Sequence, residues 1–213
     1  MKKNIFDSSI YQIMIVFSNI VMASMLWVFT SIPLITIGTS TTALYYAVVK
    51  VVRRNVGSSV YKEYFTAFKN NFVQSLIPGV IFVLYGIVMV ADCYNFFKEG
   101  AYYTISITGW ILVSLLLIIL LAYLYPVMSR FQNNIFALLR LSIIMAVKNV
   151  KTTVLLLLLI LAGIVGTWAY LPVGILVPGV IAYIASFLIE PVFKKYMPEV
   201  KPGSAEADRW YNQ

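Results

Sequence analysis

Histidine is absent from the 213 residues, cysteine occurs once, at Cys93, and only eight residues are acidic. Without histidine there is no His-dependent catalytic triad and most zinc sites lose their ligands; a single cysteine excludes a disulfide within the chain. Charged residues make up only 11% of the chain, whereas 61% is hydrophobic and the mean hydropathy is +0.88. A soluble domain of this size does not tolerate that balance, so the composition describes an integral membrane protein.

The uncharged intervals measure the spans, because one helical crossing takes about 20 apolar residues. Ser8 to Val49 is 42 residues without a charge, roughly twice one crossing, and therefore folds back on itself. Ser31-Ile32-Pro33 through Gly38 and the hydroxyls that follow supply the break, with Pro33, Thr36 and Gly38 at its centre. This places spans near Ile13 to Thr30 and Thr36 to Val52. Asn70 to Ala91 (22 residues) and Gly100 to Ser129 (30 residues) each fit one span, and Asp92 to Glu99 forms a short polar loop between them. Thr152 to Ile189 is 38 residues with Pro172, Gly174, Pro178 and Gly179 near its middle, a second tight hairpin. The fold expected is all-α and polytopic, with six transmembrane helices, or five plus a re-entrant segment if Thr36 to Val52 turns back. Residues 1–195 form one membrane domain, and residues 196–213, rich in charge, Pro and Gly, a flexible cytoplasmic tail. Lys2 and Lys3 precede an apolar run longer than a signal-peptide core and lacking a small-x-small cleavage pattern, so an uncleaved first span is expected.

Basic residues collect on the cytoplasmic side of a membrane. Six spans with both termini inside place fifteen of the sixteen Lys and Arg on that side and leave only Lys98 outside. This orientation explains the basic pI better than a nucleic-acid partner does, since the cations flank apolar spans.

Two amphipathic segments are expected on the inner surface. In the first, Tyr61, Tyr64, Phe65, Phe68 and Phe72 oppose Lys62, Glu63, Thr66, Lys69 and Asn70. In the second, Arg130, Asn134, Ala137, Arg140, Lys148 and Lys151 form a polar stripe against Phe131, Ile135, Leu138, Leu139 and Ile143. Lys62, Lys69, Arg140 and Lys148 are the candidate partner-facing residues; the competing reading is that they only reach lipid headgroups. Matches at an offset of 79, such as Ala67-Phe68-Lys69-Asn70 with Ala146-Val147-Lys148-Asn149 and Tyr46 with Tyr125, suggest a duplicated unit.

Catalytic chemistry is scarce. Asp92 and Glu190 fall at span ends and are expected to reach the headgroups, Glu190 as an i,i+4 pair with Lys194. Asn19, well inside the first span, is expected to hydrogen-bond to another helix. Trp27, Tyr45, Tyr46, Tyr123 and Tyr125 either line a sugar-stacking cavity or belong to interfacial belts. Cys93 has no basic neighbour closer than Lys98 and reads as inert. No catalytic residue, cofactor site or metal site is expected, and the Glu-Ala-Ala loop of conventional importer permeases is missing.

Asn19 to Trp27, followed by Ser31-Ile32-Pro33-Leu34-Ile35-Thr36-Ile37-Gly38 and Ala43-Leu44-Tyr45-Tyr46, resembles the YesL-like family of bacterial integral membrane proteins, a domain of unknown function. Tyr64-Phe65-x-Ala67-Phe68-Lys69-Asn70-Asn71-Phe72, Tyr125-Pro126 and Arg130-Phe131 fit the same pattern, which extends from about Phe6 to Lys195. The resemblance implies a multi-span bacterial cell-membrane protein whose relatives are often encoded beside carbohydrate importers and polysaccharide-degrading enzymes, and supplies no catalytic residues. The expected function is a non-enzymatic accessory or regulatory partner of a carbohydrate ABC-type uptake system, in contact with importer subunits and the bilayer. The alternative is a stand-alone transporter or channel for a small solute.

Overall fold

The computed structural model describes residues 9–99 and 103–197. Among them eight α-helices follow one another: α1 (Ser9–Ser31), α2 (Ile37–Ala47), α3 (Val60–Asn70), α4 (Phe72–Glu99), α5 (Tyr103–Arg130), α6 (Ile135–Lys148), α7 (Val150–Ala169) and α8 (Val177–Lys194). Six helical stretches are long and apolar enough to cross a membrane: Ile10–Ser31, Leu34–Arg53, Phe72–Asp92, Thr108–Arg130, Val150–Ala169 and Val177–Lys194. The protein is a multi-pass helical membrane protein, and the stretch open to a re-entrant reading is one continuous helix from Leu34 to Arg53.

That second stretch is the least apolar of the six and the most buried. Lipid tails are as apolar as leucine, so in a membrane the polar side chains mark the inside of the bundle. Thr39, Ser40 and Thr42 are accordingly buried, and α2 packs against α1, α3, α4, α5 and α8. Its hydroxyls are all satisfied: Thr42 Oγ1 donates to Gly38 O (3.1 Å) and Ser75 Oγ (3.0 Å), Thr39 Oγ1 to Phe72 O (3.2 Å), and Ser40 Oγ to Thr36 O (2.9 Å).

The first hairpin turns at Ile32 and Pro33, both exposed, and a 3-10 turn over Leu34–Thr36 leads into α2. Thr36 is buried and its Oγ1 donates to Thr30 O (2.5 Å) and Pro33 O (2.7 Å), closing the turn. Gly38 has a different role from the break expected of it. It lies inside α2, where a Cβ would fall on the Ser75 carbonyl oxygen and within 3.1 Å of Gly79 Cα. The two glycines let the backbones of α2 and α4 touch. The second hairpin runs through the 3-10 turn Leu171–Ile175, with Pro178 in the first turn of α8. Gly179 is a crossing point here too: a Cβ there would come within 2.8 Å of Ile20 O on α1, and Ser24 Oγ of α1 accepts from Gly179 N–H (3.0 Å).

Two helix pairs share one geometry. Asn71 is the single residue between α3 and α4, and Asn149 the single residue between α6 and α7. Each asparagine Nδ2 donates to the carbonyl four residues back, Ala67 O and Met145 O, at 2.9 Å in both cases. The buried faces also coincide at an offset of 78: Val60, Tyr64 and Ala67 of α3 fall on Leu138, Ser142 and Met145 of α6. The two helix pairs therefore match at an offset of 78, one residue away from the register that letter matching suggests.

Candidate functional site

Beyond α2 the helix widens into π-helical turns over Val48–Arg53, and Arg54 N–H reaches back to Val49 O (3.0 Å). An inserted residue of this kind re-aims the side chains that follow it. Here it delivers two consecutive arginines to α8. Arg53 Nη1 donates to the Ser186 carbonyl while its guanidinium lies 4.6 Å from the Phe187 ring centroid, and Arg54 Nη2 meets Glu190 Oε2 at 3.3 Å.

Glu190 is the centre of the arrangement. It is 2% exposed, and Arg130, the last residue of α5 and 7% exposed, grips its Oε1 with Nε (3.1 Å) and Nη2 (2.5 Å). Tyr45 OH donates to the same oxygen at 3.2 Å. One carboxylate on α8 thus ties together α2, the turn after it, and α5. Burial of an ion pair is tolerated when both oxygens are served by good donors, and here they are.

This corrects two expectations. Glu190 is buried against Arg130 and Arg54 instead of lying open beside Lys194, which is exposed; and Arg130 does not belong to the polar stripe of a surface helix. An i,i+4 rule sees only neighbours in the chain, whereas the partners that decide both environments lie 60 and 136 residues apart.

The short helices depart from expectation in detail. On α3, Glu63 sits on the buried face and pairs with Lys50 at 2.7 Å, while Tyr61 is exposed. On α6 the buried face is Leu138, Ser142, Met145 and Ala146, and Ile143 points outward along with Phe136 and Val147. Lys62, Lys69, Arg140 and Lys148 are all exposed. Lys62 and Arg140 occupy equivalent positions in the two units at the offset of 78. The positions of Lys50 and Glu63 fall on Met128 and Leu141, so the second unit has two apolar residues where the first has an ion pair.

The aromatic residues divide. Tyr45, Tyr123 and Tyr125 are buried in the bundle, with Tyr123 OH bonded to Thr153 Oγ1 at 3.0 Å, so an interfacial belt does not describe them. Trp27 donates to Thr41 Oγ1 (3.1 Å) and, with Tyr125, Phe82 and Ile160, lines an apolar recess of about 200 Å³. Asn19 is half-buried and makes no side-chain hydrogen bond to another helix among the described residues. Asp92 is exposed and accepts from Trp110 Nε1 at 2.8 Å. The side chains of Cys93, Lys98, Lys2 and Lys3 and the tail beyond residue 197 lie outside the described residues. No group of three acidic, Cys or His side chains that could hold a metal occurs among the described residues.

Tyr64 carries a separate polar cluster. It is fully buried, and its hydroxyl sits 2.6 Å from Thr30 Oγ1 and 3.3 Å from Ser40 O. Burial pushes the phenol up to about 12, against the pull of the Thr30 and Ser40 hydrogen bonds. A folded-state pKa above the unfolded one binds the proton more tightly, so this contribution is present below pH 10 and lost as pH rises from about 10 to about 12. Alkaline unfolding of Tyr64→Phe should lack that step; an unchanged alkaline profile would show that Tyr64 does not carry it.

No curated protein and no solved structure matches the chain. Residues 20–93, from the middle of α1 through the first repeated unit and most of α4, match the family model described as Protein of unknown function, DUF624.

Proposed function

We propose that this is a YesL-like, non-enzymatic protein of the bacterial cell membrane that serves as an accessory or regulatory partner of a carbohydrate ABC-type uptake system. The observation that carries the reading is the pair of equivalent cations, Lys62 on α3 and Arg140 on α6, exposed on helices whose opposite faces are packed into the bundle. Two like-charged faces at matched positions suit a partner with two acidic docking surfaces, and Lys69 and Lys148 extend them. The charge bias of the loops supports cytoplasmic termini and a cytoplasmic side for both faces. The family resemblance supplies the carbohydrate-importer context.

Affinity capture from native membranes in mild detergent, with a permease-deleted control, tests this. Importer subunits should be recovered in stoichiometric amounts, and reversing the charge at Lys62 and Arg140 together should cut that recovery about tenfold, as loss of about 1.4 kcal/mol of interface energy does. Recovery of the chain alone across several detergents would rule out a stable complex. The duplicated unit favours a second reading, a stand-alone transporter for a small solute, because internal repeats are common in transporters. Solute flux in liposomes containing only this chain would establish it.

A further inference from the structure

Where the π-helical end of α2 meets the last turn of α8, a recess of about 340 Å³ is lined by Arg53, Arg54, Glu190, Pro191 and Lys194. Among the described residues its walls carry Arg53 and Lys194 beside the Arg54–Glu190 ion pair, and Glu190 is also held from behind by Arg130. Arg53 and Lys194 present two positive charges to one recess, a setting that favours a bound anion.

The geometry suits a particular anion. Arg53 is fixed from two sides, by the Ser186 carbonyl and the Phe187 ring, so its guanidinium presents a preorganised fork. Lys194, exposed in the last turn of α8, supplies a point charge to the same recess. An arginine fork with a lysine beside it is a common arrangement for phosphate oxygens. The recess also sits at the last residues of two candidate spans, Leu34–Arg53 and Val177–Lys194, which is the depth of lipid headgroups. Its volume falls in the range of about 300–1,000 Å³ that holds small ligands, leaving room for the group a phosphate is attached to.

We infer that this recess binds a phosphate group, carried either by an anionic lipid or by a phosphorylated solute. Full-length protein is reconstituted in phosphatidylcholine nanodiscs, and its unfolding temperature is followed as phosphatidylglycerol is included or inorganic phosphate is added. A bound anion at saturating concentration should raise the midpoint by about 5 °C. A rise with phosphatidylglycerol alone identifies lipid as the source, and a rise with inorganic phosphate identifies a soluble ligand. Lys194→Gln, at an exposed position that perturbs no packing, should reduce the rise at least by half, and Arg53→Gln with Lys194→Gln should abolish it. Lys62→Gln with Arg140→Gln should leave the rise intact. No rise with either anion, or an equal rise in Lys194→Gln, overturns the site.

Discussion

Glu190→Ala is expected to lower stability by about 3–5 kcal/mol, the usual cost of removing one member of a buried ion pair. For a chain of this length the unfolding midpoint should fall on the order of 10 °C. The reason is specific to this carboxylate. Its two oxygens serve Arg130, Arg54 and Tyr45, so one truncation removes two ion pairs, to α5 and to the end of α2, and a hydrogen bond to α2 itself. Arg130→Met should cost less, since Glu190 retains Arg54 and Tyr45. Combining Arg130→Met with Glu190→Leu should recover much of the Glu190→Ala loss, because matched apolar side chains carry no desolvation penalty. A Glu190→Ala midpoint within experimental error of the parent would mean that the cluster does not hold the helices together.

The second large effect is steric. Gly38→Leu should drive α2 and α4 apart, because a side chain there meets the Ser75 carbonyl and the Gly79 backbone, neither of which can rotate out of the way. Overpacking costs about 1–3 kcal/mol even where side chains can yield, and here the neighbours are main chain, so loss of folded protein is the expected result. Gly86→Ala and Gly166→Ala provide the contrast: nothing lies within 4 Å of a Cβ at either position. Both should be neutral or stabilising by up to about 1 kcal/mol, as expected for Gly→Ala in a helix. Thermal unfolding of the three variants side by side separates a close-contact glycine from glycines that merely occur in a span. If Gly38→Leu behaved like Gly86→Ala, the crossing of α2 and α4 would be wrong.

The number and approximate limits of the spans were legible from the chain because lipid thickness imposes a length that uncharged runs must match. The environment of Glu190 and Arg130 was not. Each stands at the end of an apolar run, where charge ordinarily marks the headgroup boundary, and nothing local reveals that they neutralise one another. A carboxylate and an arginine ending two different spans on the same side were the available signal. The faces of α6 were misjudged for another reason. In a membrane protein, side chains toward lipid and toward the core are both apolar, so Ile143 and Met145 look alike in sequence although one is exposed and the other buried. Gly38 illustrates a third limit: a glycine after a proline reads as part of a turn, and only the approach of Gly79, 41 positions on, reveals a packing role.

The junctions at Asn71 and Asn149 have a mechanical consequence. With one residue between α3 and α4, and its side chain bonded back to the preceding turn, the short helix and the long one cannot move independently. The pair acts as a bent lever. α4 has 28 residues, about 42 Å of helix, so a tilt of about 5° at Asn71 would carry its far end through about 4 Å. The same linkage joins α6 to the 20 residues of α7. Force applied to the exposed faces of Lys62 or Arg140 would therefore be felt at the opposite side of the bilayer, without any hinge loop to absorb it.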